Sequence, residues 1–254
     1  ATADSFEGTP SVTGFTQPTI NCSSARDGAA PRWPAMLKRL HDAARRAAPQ
    51  TTLVLSGACW GRAEGLAAID PAMVMDDNII WSFHSYEPFV FSHQGASWTK
   101  DVASHVSGLA FPPVEGSKAR IVEIATGRIR AGRLTARREA VLLDDLHKYL
   151  NWYFRPGQAE KDATAPFVRV EAWARQHGIP ASRIMLGEFG VIRGDTYRPL
   201  GDEARAPLIA LVRTQAEARG YAWSCWSWSG SFGISRTATS REFSPVLLQA
   251  LGLR

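Results

Sequence analysis

"IMLGEFGV" (residues 184–191) is a short apolar run broken by one carboxylate, Glu188, and by two glycines. Continuous apolar runs of this length, without polar alternation, are the mark of strands buried on both faces. Three further runs share that character: "TTLVLSG" (51–57), "NIIWSFH" (78–84) and "YAWSCWSW" (221–228), with a weaker one in "SVTGFT" (11–16). Helix-like stretches lie between them. In "WPAMLKRLHDAARRAAP" (33–49), Met36, Leu37, Leu40 and Ala44 are expected on one face, with Pro34 in the first turn and Pro49 closing the helix. "EAVLLDDLHKYLNWYF" (139–154), "PFVRVEAWARQHG" (166–178), "DEARAPLIALVRTQAEARG" (202–220, interrupted early by Pro207) and "SPVLLQAL" (244–251) repeat the logic. Strands and helices in alternation predict an α/β fold around a parallel sheet.

Such a sheet is either doubly wound or closed as a (β/α)8 barrel, and the loops decide between them. No GxGxxG follows any strand, so a dinucleotide site has no basis. Polar and aromatic residues instead gather where the strands end: Trp60, then His84 and Tyr86, then Glu188, then Trp226 and Trp228. Residues drawn from the C-terminal ends of several strands are what a barrel active site is made of. A carboxylate at the mouth of a buried strand carries a desolvation cost, which marks Glu188 for chemistry.

The composition supports one domain spanning 1–254, with 45% hydrophobic and 21% charged residues. A formal charge of +5 and a pI near 9.4 raise the question of nucleic acid, and the basic stretch Arg120–Arg138 is where it would bind. That stretch has no interleaved aromatic residues and reads as a solvated loop and helix face, so no nucleic-acid partner is expected. Cys22, Cys59 and Cys225 lie far apart without CxxC spacing, leaving room for at most one disulfide and no zinc ribbon. No uninterrupted apolar window is long enough for a membrane span. There is neither an initiator Met nor a signal-like segment at the start, which reads as a processed form or a fragment.

Nine tryptophans is a heavy load for this length. Trp33, Trp81, Trp152 and Trp173 read as core, whereas Trp60, Trp98, Trp226 and Trp228 fall at strand ends or in loops, where flat indole faces suit sugar rings.

These residues carry a resemblance. "WPAMLKRLHDAARRAAPQTTLVLSGACWG" (33–61), "IIWSFHSYEPFVFSHQGASW" (79–98), "LGEFGV" (186–191) and "WSCWSWSGSFGI" (223–234) together resemble the cellulases of glycoside hydrolase family five, which are retaining endo-β-1,4-glucanases. The resemblance implies a (β/α)8 barrel, with Glu188 as nucleophile, His84 and Tyr86 lining its subsite and Trp226 as the platform under a sugar ring. Trp60 and Trp98 are read as further substrate contacts; in the alternative reading the chain is a degenerate, non-hydrolytic homologue that at most binds β-glucan through Trp226, Trp60 and the loop from His93 to Trp98. No cofactor and no metal is implied; the partner is β-glucan or a cello-oligosaccharide. Polymeric glucan is met outside the cytoplasm, so a secreted or periplasmic location is expected.

The chain departs from the family at the second carboxyl group. The acid/base of these enzymes is the Glu of an Asn-Glu-Pro motif closing the fourth strand, and the segment that aligns is "GFTQPTINC" (14–22). Thr16 stands where the substrate-binding Asn should be, and Gln17 where the acid should be. A glutamine can hold the glycosidic oxygen but has no proton to give and cannot act as base. Glu7 is a conceivable substitute that reads as a terminal-loop residue. If "SVTGFT" is the fourth strand, the first three strand-helix units are missing and about strands four to eight are present. An open sheet edge would then need a second copy or a complementing chain to cover it, and activity is expected to be impaired.

Overall fold

A computed structural model describes residues 32–194 and 199–253. The expected strand at 11–16, together with Glu7, Thr16, Gln17 and Cys22, lies outside the described residues.

The described chain falls into two compact units. The first takes in residues up to Ser85, Ala165–Glu188 and Gln215–Ser224. It contains a four-stranded sheet of β1 (Leu53–Ser56), β2 (Ile79–Ser85), β3 (Ile184–Phe189, whose last residue belongs to the second unit) and β4 (Ala222–Trp223), in that spatial order. β1 pairs parallel to β2, with Leu53 opposite Ile79, and β3 parallel to β4, with Leu186 opposite Trp223. Sequential parallel strands joined through helices make the α/β arrangement of a (β/α)8 barrel, of which the described residues supply part.

β2 shows why the apolar runs became strands. Ile79, Trp81 and Phe83 are 1%, 1% and 0% exposed, so the strand is covered and its residues are apolar almost without interruption. The covering helix is α6 (Gln158–Gln176): Phe167 meets Phe83 edge-on at 5.5 Å, and Trp173 meets Trp81 at 5.6 Å while its indole N–H donates to the Ile69 carbonyl. All four tryptophans read as core are buried: Trp33, Trp81, Trp152 and Trp173.

Helix α1 (Trp33–Ala47) corrects one expectation. Of the expected face Leu37 is buried, together with Trp33 and His41, whereas Met36 and Ala44 are half-buried and Leu40 is 46% exposed. Polar anchors set the rotation: the Trp33 indole donates to the Ser56 carbonyl at 3.0 Å, and His41 Nε2 lies 2.7 Å from Asp76 Oδ2. A count of apolar residues does not register such anchors.

The second unit takes in Tyr86–Thr164, Phe189–Thr214 and the chain from Cys225 onward. The short helix α2 (Ala63–Ala67) belongs to the first unit, and the second contains α3 (Phe89–Ser92), α4 (Lys118–Ala131), α5 (Ala136–Tyr153) and α8 (Pro245–Ala250). In α4 an i, i+4 stripe of Ile121, Ala125 and Ile129 is buried, and Arg120 and Arg130 are exposed, as expected of a solvated helix face. Two proline expectations change. Helix α6 starts eight residues ahead of Pro166 and runs through it, and α7 (Asp202–Glu217) is not interrupted at Pro207. An interior proline costs about 3 kcal/mol. Ala159, Ala163, Phe167 and Val170 in α6, and Leu208, Ile209, Val212 and Ala216 in α7, are all at most 2% exposed, and their burial offsets that cost.

The last apolar run also shortens: "YAWSCWSW" keeps only Ala222–Trp223 as strand. Ser224 still donates its N–H to Leu186 and its hydroxyl to Gly187, but beyond it the serine-rich chain satisfies its backbone through loop contacts instead of a ladder. No described helix is long and apolar enough to cross a membrane.

Candidate active site

In the first unit, Glu188 lies near the C-terminal end of β3 and His84 near that of β2. The His84 Nδ1 and Glu188 Oε2 atoms are 3.5 Å apart, an electrostatic contact longer than a hydrogen bond, and the two side chains are 21% and 29% exposed. Both are reachable from solvent yet mostly covered.

Two glycines make this pairing sterically feasible. A Cβ on Gly61 would fall 2.8 Å from the His84 ring, and one on Gly187 would fall 2.2 Å from Ser82 Oγ and 3.4 Å from the ring. The His84 N–H donates to the Gly61 carbonyl at 2.7 Å, so backbone and ring are both set from the turn after β1. That turn is strained: Cys59, Trp60 and Gly61 have φ of 61°, 53° and 72° in succession. For the two that are not glycine this left-handed conformation costs about 1–2 kcal/mol each. The turn leaves Trp60 36% exposed at the same end of the sheet. Cys59 is disulfide-bonded and Cys225 is a free thiol.

Tyr86, Trp98 and Trp226 belong to the second unit. Tyr86 packs edge-on against His93 at 5.1 Å and Phe232 at 5.8 Å, beside Ala96 and Ile192. His93 stacks on Phe89 at 4.0 Å and is 8% exposed, so it supports this cluster from within and is not available as a surface ligand. Trp98 is 55% exposed and lies 6.3 Å from Phe232. Trp226 is 50% exposed, donates its N–H to the Phe189 carbonyl at 2.8 Å and is joined to Ser227 by a cis peptide. A Cβ on Gly190 would fall 2.1 Å from the Trp226 carbonyl, which explains the second glycine of "GEFG".

Two functional candidates were not apparent from sequence. Arg205, fully buried, donates to the carbonyls of Val191, Phe232 and Gly233 and to Asp202, and Arg193 donates to those of Gly230, Gly233, Ser235 and Arg236. Burial, then the nearby Arg193 charge, lower the Arg205 guanidinium from its ordinary range, and Asp202 works against both. It stays protonated. The only sequence signal was Asp202 three residues ahead on a helix. Among the described residues, no group of three His, Cys, Asp or Glu side chains is placed to hold a metal ion.

These features define the class: a barrel-type α/β fold with a carboxylate and an imidazole at neighbouring strand ends and exposed indoles in the loops. The family model described as Cellulase (glycosyl hydrolase family 5) matches residues 19–113, a span that holds Trp60, His84, Tyr86 and Trp98 and ends before Glu188 and Trp226. Endoglucanase 3 of Fibrobacter succinogenes (strain ATCC 19169 / S85) is 24% identical over 202 residues, 80% of this chain and 27% of that protein. Cellodextrinase A of Ruminococcus flavefaciens is 56% identical over 27 residues, 11% of this chain and 8% of that protein. Among solved structures, an endoglucanase aligns over 88% of this chain and 55% of its own with a TM-score of 0.58 and 22% identity. Endoglucanase Cel5A of Thermotoga maritima aligns over 87% and 54% with a TM-score of 0.56 and 24% identity. The chain therefore spans about a quarter of the first of these curated relatives and about half of the solved structures. Over the matched residues it is similar to the family 5 cellulases.

Proposed function

We propose that the chain acts on β-1,4-glucan by the retaining mechanism, with Glu188 as the nucleophile. The observation that carries this reading is Glu188 beside His84 at the C-terminal ends of adjacent parallel strands, in space kept open by Gly61 and Gly187. A retaining glycosidase needs one carboxylate to attack the anomeric carbon and a second group to protonate the leaving oxygen and then activate water. Glu188 takes the first role and His84 orients it; the resemblance assigns Tyr86 to the nucleophile's subsite and Trp226 to a sugar platform, and Trp60 and Trp98 are read as further sugar contacts. By the resemblance, Thr16 and Gln17 align with the substrate-binding Asn and the acid/base, so both bond cleavage and water attack lose their proton-transfer partner. That loss slows each step by about two to four orders of magnitude.

The same account implies further strands beside the edges of the four-stranded sheet, from the same polypeptide or a second copy, since an open edge invites pairing. A secreted or periplasmic location fits a polymeric substrate and the disulfide at Cys59.

A cellobioside with a dinitrophenolate leaving group needs no acid to depart, and so isolates the nucleophile. The expected result is a burst of about one dinitrophenolate per chain, then slow release limited by water attack, with neither phase in Glu188→Gln. Reducing-end release from carboxymethylated cellulose should be slow and rise in Gln17→Glu by about two to four orders of magnitude. Absence of a burst in the native chain would sink the nucleophile assignment. Gln17 favours one other reading, a non-hydrolytic glucan binder. It predicts no burst but retention in a glucan gel that weakens in Trp226→Ala.

A further inference from the structure

The loop that carries Trp226 is fixed by charge from another element of its own unit. Arg205 on α7 is 0% exposed and sends Nη2 to the carbonyls of Phe232 and Gly233, each at 2.9 Å, while its Nε reaches the Val191 carbonyl at 2.9 Å. The Phe232 carbonyl also accepts the N–H of Ser227, the residue after Trp226, at 3.4 Å. The Gly233 carbonyl is shared with Arg193, whose Nη2 donates at 2.8 Å, and Asp202 stands 2.9 Å from Arg205 and 3.8 Å from Arg193. A Cβ on Gly233 would fall 2.5 Å from the Ser229 backbone, so the loop folds on itself where both guanidinium groups meet. Burying a guanidinium is costly unless every donor direction is used, and this one places its donors on the backbone of one loop, on the segment beside it and on the Asp202 carboxylate.

We propose that Arg205 is the positioning residue for Trp226: through the Phe232 and Gly233 carbonyls it sets where the indole is presented, with Arg193 and Asp202 completing the clasp. That the indole meets a sugar ring rests on the function proposed above; the clasp itself does not. Lysine at position 205 keeps the charge but cannot reach Val191, Phe232, Gly233 and Asp202 together.

Amide hydrogen exchange and cello-oligosaccharide binding separate the two ideas. Arg205→Lys, and Arg193→Gln as a second variant at a partly exposed position, are predicted to speed exchange across 226–236 at least tenfold while β2 amides keep their native protection. The same variants should weaken cellotetraose binding about tenfold. Wild-type protection at 226–236 in folded Arg205→Lys and Arg193→Gln overturns the clasp, as does weakened binding with no change in loop exchange. A native chain that binds no cellotetraose overturns the glucan role of Trp226, while exchange still decides the clasp.

Discussion

His84 Nδ1 stands 3.5 Å from Glu188 Oε2, and the imidazole is flanked by Gly61 and Gly187, where a side chain would collide with the ring or its strand neighbour. The site is thus built as much from missing side chains as from present ones.

That steric claim is testable at Gly187. An alanine there would put its Cβ 2.2 Å from Ser82 Oγ, an overlap with a short, buried side chain. Overpacking of this kind costs about 1–3 kcal/mol. Gly187→Ala should lower the urea midpoint accordingly, and Ser82→Ala in the same chain should restore at least half of the loss. Native stability in the single variant would contradict the packing described.

Acid sensitivity should report on Asp76. Burial pushes its carboxyl up, but hydrogen bonds from His41, the Asn78 N–H and Arg45 outweigh that and hold it at about 2. The unfolded value is about 3.9, so the folded value is depressed and the stabilisation is complete above about pH 4, then lost as pH falls through about 2. Denaturant titrations of the native chain and Asp76→Asn should show a stability gap that is constant above pH 5 and closes between pH 4 and 2. A gap that persists at pH 2 would contradict the assignment.

Cys225, next to Trp226, provides a probe of loop order. Burial pushes its thiol up to about 12, against an opposing pull from Arg205. Thiolate at pH 8 is then far scarcer than in an unperturbed thiol. Native protein should therefore resist iodoacetamide at pH 8 and react on denaturation. Labelling at the rate of a free thiol would show that the Trp226 loop is open.

The strands most legible in the sequence were those buried on both faces. "NIIWSFH" and "IMLGEFG" became β2 and β3 because uninterrupted apolar runs have only one comfortable place in an α/β fold. What the pattern did not reveal was set by single polar contacts. Trp33 and His41 turn α1 away from its expected face, and the buried Arg205 organises a serine-rich loop that reads as the end of a strand. Local rules start a helix at Pro166 and interrupt one at Pro207, and buried helix faces outweigh both. His84 and Glu188, 104 positions apart, could be paired in advance only by resemblance; strand adjacency supplies the physical reason.

The central claim is that Glu188 bonds to the anomeric carbon. The most direct test is mass analysis of the protein after incubation with dinitrophenyl 2-deoxy-2-fluoro-β-cellobioside, whose fluorine slows release of the glycosyl intermediate. The account predicts one fluorocellobiosyl group per chain on the peptide that contains Glu188, and none in Glu188→Gln. No adduct on the native chain, or an adduct on another carboxylate, would contradict it.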